Sequence, residues 1–255
     1  MLQLTKYVIE FIRKQYDGNP DGKAIIGISG GKDSTIAAAL CVEALGADRV
    51  IGVMMPNGVQ SDISDSLEVV SWLDIYALEV NIEDAYEGIL ENISAALAEN
   101  GSERPYSRVR ENTMLRTNTP ARLRMTTLYA VAALYPNSRV VNTCNFSEDY
   151  VGYSTKYGDA AGDFSPLGRL TVREVLQIGD DLGLPYELVH KTPSDGMCGK
   201  TDEDNLGFTY EELDSFLRDF KHPSPDKYKR IMQLHNSTRH KYNPMPTFNP
   251  YKLEE

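Results

Sequence analysis

The densest chemical signal in this chain is one run of residues, Gly27-Ile28-Ser29-Gly30-Gly31-Lys32-Asp33-Ser34. It follows a short apolar stretch and opens a helical pattern. The adjacent glycines let the backbone turn with its N–H groups pointing inward. Ser29 and Ser34 add hydroxyl donors, and the start of a helix adds partial positive charge. Together they form a cup for an anion the size of pyrophosphate. Asp33 sits oddly in such a cup, because a carboxylate repels phosphate unless a cation lies between them. Its presence therefore points to Mg²⁺. The plain structural alternative is an aspartate N-cap behind a tight turn, which leaves the Ser-Gly-Gly run without a purpose. The spacing is not that of a Walker A loop, since Ile26 stands where that motif needs its first glycine, and it is not a GxGxxG fingerprint.

A second candidate lies far along the chain. Glu148 falls just beyond a predicted strand, where open α/β sheets place their ligand sites, and it is a hard oxygen donor able to complete a Mg²⁺ site with Asp33. Around it, Glu148–Gly168 is rich in Gly, Asp, Tyr and Ser with little periodicity. A stretch of that length without regular structure is usually a functional loop.

The elements that must position these residues alternate in type. Ala24–Ser29 reads as a buried strand, Ser34–Leu45 as a helix and Val50–Met55 as a second strand. Asp62–Tyr76 reads as a helix, Leu78–Ile82 as a third strand and Ala85–Leu97 as a helix. A long helix over Asn118–Tyr135 leads into a strand over Arg139–Thr143. This rhythm predicts an α/β fold, a doubly wound parallel sheet with helices on both faces. An amphipathic helix with Leu4, Val8, Phe11 and Ile12 on one face precedes it. Thr171 with Glu174, and Thr209 with Glu212, mark two further helix starts as capping boxes. Between them Thr192–Gly207 is polar and glycine-bearing, as in a mobile lid or a solvated connection.

The chain has 255 residues, a length that suits a single α/β domain spanning 1–255. Its net charge is −11 and no Lys/Arg cluster stands out, which argues against nucleic acid as a partner. No apolar run is long enough to cross a membrane. Cys41, Cys144 and Cys198 form neither a CxxC pair nor a disulfide framework, as expected of reduced thiols in the cytoplasm.

The SGGKDS run resembles the SGGxDS loop of the ATP pyrophosphatase superfamily, whose members cleave ATP between the α and β phosphates. Other blocks are similar to one family within it. Asn118-Thr-Pro-Ala-Arg122-Leu-Arg124-Met125 resembles the N-x-x-A-R-x-R-M helix of NAD⁺ synthetases. Thr143-Cys-Asn-Phe-Ser-Glu148, Gly152–Asp159 and Asp163 resemble their long loop after a strand, Pro193-Ser194 their pair before a lid, and His240-Lys241 their C-terminal pair. The likeness runs from about Lys23 to Lys241 in family order.

The resemblance implies an ammonia-dependent NAD⁺ synthetase of adenine nucleotide alpha hydrolase-like fold. It implies that Gly27–Ser34, Thr143 and Ser194 contact ATP, and that Asp33 and Glu148 hold Mg²⁺. Asn118, Arg122, Lys156, Asp163, His240 and Lys241 would bind deamido-NAD⁺, the last two perhaps from a partner subunit of a homodimer. Asp159 is the expected residue to bind ammonium and take its proton, with Lys156 beside it in the same loop. Arg124 is as well explained by an ion pair on the helix surface. One position departs from the family: Val172 stands where a lysine approaches the ATP phosphates, and Lys200, then Arg173, are the expected replacements. About twenty residues precede the first strand, too few for a glutaminase domain, so free ammonia, or ammonia from a separate protein, is the expected nitrogen donor. The alternatives are another SGGxDS enzyme, such as a tRNA-thiolating or GMP-forming one, and a nucleotide-binding module without catalysis.

Overall fold

A computed structural model describes residues 1–60, 63–190 and 201–249. The first helix, α1 (Gln3–Gln15), leads into β1 (Ala24–Gly27), α2 (Lys32–Leu45), β2 (Val50–Met54), α3 (Ile63–Leu73) and β3 (Tyr76–Glu79). Then come α4 (Glu83–Glu99), α5 (Pro105–Arg110), α6 (Thr113–Ala132), β4 (Arg139–Val140) and α7 (Phe146–Val151). Beyond a long irregular segment follow α8 (Val172–Asp181), α9 (Tyr186–Val189), α10 (Asp202–Leu206), α11 (Tyr210–Asp219) and α12 (Pro225–Thr238).

The strands form one parallel sheet in the order β3-β2-β1-β4, with Ile25 opposite both Ile51 and Val140. Strand side chains alternate between faces. Ala24, Ile26, Val50 and Met54 therefore pack against α1, α2, α3, α8 and α9, while Ile25, Ile51 and Val53 pack against the apolar side of α6. A smaller cluster of Val151, Val172, Leu206, Phe208, Leu213 and Ile231 joins α7 and α8 to α10–α12. From β1 the chain steps to β2 and β3 on one side, then returns to place β4 on the other. The carboxyl ends of β1 and β4 thus lie side by side where the winding reverses, the usual ligand position in such sheets.

The doubly wound arrangement, α8 and α11 agree with the sequence reading, and both capping boxes are present. Boundaries differ for local reasons. Asp74, at φ 50°, ends α3 early, so Tyr76 starts β3 instead of closing a helix. Asn112 accepts the Leu115 N–H and caps α6, so Asn118 lies within the helix rather than at its start. Glu148 sits in the short helix α7, not in an irregular loop, and the second half of the proposed lid is α10. In α1 the buried face is Thr5, Val8, Ile9 and Ile12. Phe11 stays 41% exposed, touching Phe164 edge-on.

Candidate active site

The turn after β1 is held by its own serines. Ser34 Oγ accepts the Ser29 N–H and donates to the Gly31 carbonyl, and the Ser29 hydroxyl accepts the Gly31 N–H. Ser66 Oγ anchors the carbonyl of buried Ile28. Gly30 has φ +75°, and a Cβ there would stand 2.7 Å from Asp65 Cβ, so this position needs glycine. Lys32, Asp33 and Ser34 form the first turn of α2.

Asn145 joins the two carboxylates proposed to hold the cation, and nothing in the sequence alone identified it. It is fully buried and caps α7. Its amide donates to Asp33 Oδ1 at 3.1 Å, while its own N–H donates to Glu148 Oε2 at 3.3 Å. Burial, then the nearby Asp33 charge, pushes the Glu148 carboxyl up to about 8, against the pull of Lys32 and of the Asn145 N–H. A carboxylate so penalised calls for a further cation. Among the described residues no group of three or more His, Cys, Asp or Glu side chains gathers to cage a metal. Two carboxylates fit Mg²⁺, which is commonly held by one or two of them together with substrate phosphates.

Lys32 reaches into the same place. Its side chain is 7% exposed, and Nζ lies 2.6 Å from Asp33 Oδ2. Burial opposes its charge, but Asp33, Glu148 and Asp202 outweigh that and hold its pKa above the ordinary lysine value. The Tyr210 ring lies 5.9 Å away. The buried Tyr210 hydroxyl has no hydrogen-bond partner among the described residues.

Arg173, a candidate to replace the missing lysine at Val172, turns the other way. It pairs with Asp219 at 3.2 Å and is 43% exposed. Val172 itself packs in the small core, its N–H donating to Ser147 Oγ. Ser194 and Lys200 lie outside the described residues, as does Cys198. Thr143 is half-buried just past β4.

The substrate-side residues converge around the Thr155–Asp159 turn. Thr155 Oγ1 donates to Asn118 Oδ1 at 2.8 Å, and Arg122 donates to the Lys156 carbonyl at 3.3 Å. Arg124 is not in a surface ion pair; it is half-buried and donates to the Met55 carbonyl. Lys156 Nζ donates to the His240 carbonyl and Lys241 Nζ to the carbonyls of Gly152 and Ser154. The C-terminal pair therefore reaches this turn from the same chain. Asp159 Oδ1 accepts the Thr155 N–H, and burial raises its pKa despite that bond. Asp163 is engaged by the Tyr129 hydroxyl and the Val140 N–H, next to the same turn.

The site thus offers an anion cup, a carboxylate pair for a hard cation and, across a short irregular segment, a carboxylate among lysines. Comparison with known proteins supplies the family. The family model described as NAD synthase matches residues 4–255. The NH(3)-dependent NAD(+) synthetase of Alkaliphilus metalliredigens is 37% identical over 92% of this chain and 93% of its own length. That of Methanocaldococcus jannaschii is 34% identical over 98% and 90%. A solved structure described as NMN synthetase from Francisella tularensis superposes with a TM-score of 0.83 at 34% identity, covering 97% of this chain and 98% of its own. With the fold, the loop and these matches in agreement, the chain belongs to the NAD synthase family.

Proposed function

We propose that the chain, a ligase forming a C–N bond, adenylates the nicotinate carboxylate of deamido-NAD⁺ with ATP and then replaces AMP with ammonia to give NAD⁺. The observation that carries this reading is the bridge from Asn145 to both Asp33 and Glu148 beside the Gly30–Ser34 turn. It supports a cation-assisted pyrophosphate site at the switch point of the sheet.

In this reading the Gly30–Ser34 N–H groups and the first turn of α2 take the β and γ phosphates. Asp33 and Glu148 hold Mg²⁺, which supplies positive charge against the pyrophosphate oxygens when bound. Lys32, buried against Asp33, adds the positive charge that Val172 cannot. Asn118 and Arg122 brace the Thr155–Asp159 turn on which Lys156 and Asp159 meet the substrate carboxyl, and Thr143 flanks the nucleotide. Asp163, His240 and Lys241 shape the pocket around deamido-NAD⁺. Asp159, kept ready to accept a proton by its burial, deprotonates ammonium as nitrogen attacks the acyl carbon.

Incubation with ATP, Mg²⁺, deamido-NAD⁺ and ammonium should release AMP, pyrophosphate and NAD⁺ in equal amounts, with none formed when deamido-NAD⁺ is left out. Accumulation of ADP would refute the reading. A second reading, amidation of the mononucleotide to give NMN, rests on the Francisella chain and its TM-score of 0.83. Offering the mononucleotide and dinucleotide acids separately and comparing kcat/KM decides between them.

We also propose a cytoplasmic homodimer. Ile89, Ile93, Tyr106, Met114 and Leu134 are exposed on and next to α4, α5 and α6, an apolar spread that supports self-association through that layer. Light scattering coupled to size exclusion tests it.

A further inference from the structure

The end of α12 presses on the chain that leads into the Thr155–Asp159 turn. Gly152, at φ +67°, closes α7, and a Cβ there would stand 2.1 Å from Thr238 Cβ. Glycine alone admits that approach. Just beyond α12, Arg239–Lys241 make a single 3₁₀ turn that ends at Tyr242, whose N–H donates to the Arg239 carbonyl. This strap lies across residues 152–156. Lys241 Nζ donates to the Gly152 and Ser154 carbonyls, at 2.7 Å each, and Lys156 Nζ donates to the His240 carbonyl at 2.6 Å. All three bonds are made by ammonium groups on flexible stems, which the anions of a substrate can draw away.

The Tyr242 hydroxyl is a different kind of fastening. It bonds two side chains, the Ser154 hydroxyl and the Asp149 carboxyl. A phenol has one proton to give. With that proton on Asp149, the Tyr242 oxygen accepts from Ser154. Burial pushes the Asp149 carboxyl up to about 6, and the Tyr242 hydroxyl opposes that rise, as a donor to the charged form does. Asp149 follows Glu148 on α7, and Ser154 precedes Thr155, whose N–H holds the Asp159 carboxylate. One hydroxyl thus joins the helix of a proposed cation ligand, the entrance to the substrate turn and the strap. None of these bonds reaches the Gly30–Ser34 turn.

We propose that Tyr242 is a positioning residue for the acid substrate: by fastening the strap to Ser154 and Asp149, it sets where Lys156 and Lys241 stand when deamido-NAD⁺ enters. The proposal rests on the amidation reading above, in which those lysines belong to the pocket of that substrate.

Tyr242→Phe removes the hydroxyl and keeps the ring. In pyrophosphate–ATP exchange dependent on deamido-NAD⁺, the KM for deamido-NAD⁺ should rise roughly tenfold, with the KM for ATP within about twofold of wild type. Ser154→Ala should show the same pattern, and the double variant should be no worse than Tyr242→Phe alone. A merely structural role would lower kcat through a smaller folded fraction and leave both KM values alone. That pattern, or an equal rise in both, overturns the proposal. Amide hydrogen exchange read by mass spectrometry needs no turnover. Amides of residues 152–159 should exchange roughly tenfold faster in Tyr242→Phe, and unchanged protection also overturns the proposal. Failure of wild-type enzyme to catalyse pyrophosphate–ATP exchange would instead refute the amidation reading itself, with the amide result still deciding whether Tyr242 anchors the strap.

Discussion

Lys32 Nζ stands 2.6 Å from Asp33 Oδ2, inside the carboxylate pocket that Asn145 closes. The ammonium group is thus a built-in counter-ion for a pocket that also contains Glu148 and Asp202. It competes with any free cation for those oxygens, and it is the one described lysine so placed near the phosphate turn. Lys32→Met should tighten Mn²⁺ binding in the absence of nucleotide and raise the KM for ATP, each by roughly tenfold. Manganese titration followed by electron paramagnetic resonance reads the first effect and exchange kinetics the second. Unchanged values for both would leave Lys32 a purely structural residue.

Glu148 yields a pH dependence of definite sign. Its carboxyl is pushed from 4.5 to about 8, by burial first and by Asp33 second. Between those values the folded chain keeps a proton that the unfolded chain has lost, so metal-free stability falls as pH rises through that window and levels off above it. Mg²⁺ must displace the same proton. Its affinity should climb with pH, approaching tenfold per unit below about pH 8 and flattening above it. Calorimetric titrations in buffers of different ionisation heat should record close to one proton released near pH 6.5 and almost none near pH 9, on the same linkage. A pH-independent affinity would remove Glu148 from the metal site.

The phosphate turn was legible because its chemistry is local: glycines, serines and a helix start within a single run, with the Gly30 backbone at φ +75°. The sheet was legible for a similar reason, since apolar strands alternate with helical periods. What escaped depends on distant groups meeting. Asn145 matters through Asp33, 112 positions away, and no spacing rule connects them. Arg173 looked available for phosphate until the fold brought Asp219 opposite it. Tyr210 gained its interest only from the lack of a hydrogen-bond partner for its hydroxyl among the described residues, a property of packing rather than of residue type.

Gly30→Ala tests the turn directly. Its positive φ and the 2.7 Å approach to Asp65 Cβ leave no room for a methyl group without movement of α3. A stability loss of about 2–3 kcal/mol is expected from strain of this kind, together with a higher KM for ATP. Urea unfolding and exchange kinetics measure the two. A variant as stable as wild type would show that the turn relaxes freely.

Asp214 is a buried link between the helices around the site. It is 1% exposed and accepts the Ser147 hydroxyl at 2.5 Å and the Arg173 N–H at 2.7 Å. Through Ser147 it fixes α7, which carries Glu148, against the start of α8. Asp214→Ala leaves both donors unpaired in the interior and should cost about 2–4 kcal/mol. Urea unfolding checks the loss, and a change below about 1 kcal/mol would mean that water replaces the carboxylate.

Asp159 separates the two halves of the reaction. If its carboxylate accepts the ammonium proton, it has no part in attack by the nicotinate carboxylate on ATP. Asp159→Asn retains an oxygen to accept the Thr155 N–H, so the turn should keep its shape. Exchange between pyrophosphate and ATP should then persist near the wild-type rate, while NAD⁺ formation drops by roughly 10²–10⁴, the usual range for loss of a general base. The acyl adenylate should accumulate on the variant and be trapped by hydroxylamine, a stronger nucleophile that is neutral at pH 7. Equal loss of both half-reactions would assign Asp159 to substrate binding, and the proton would have to leave by another group.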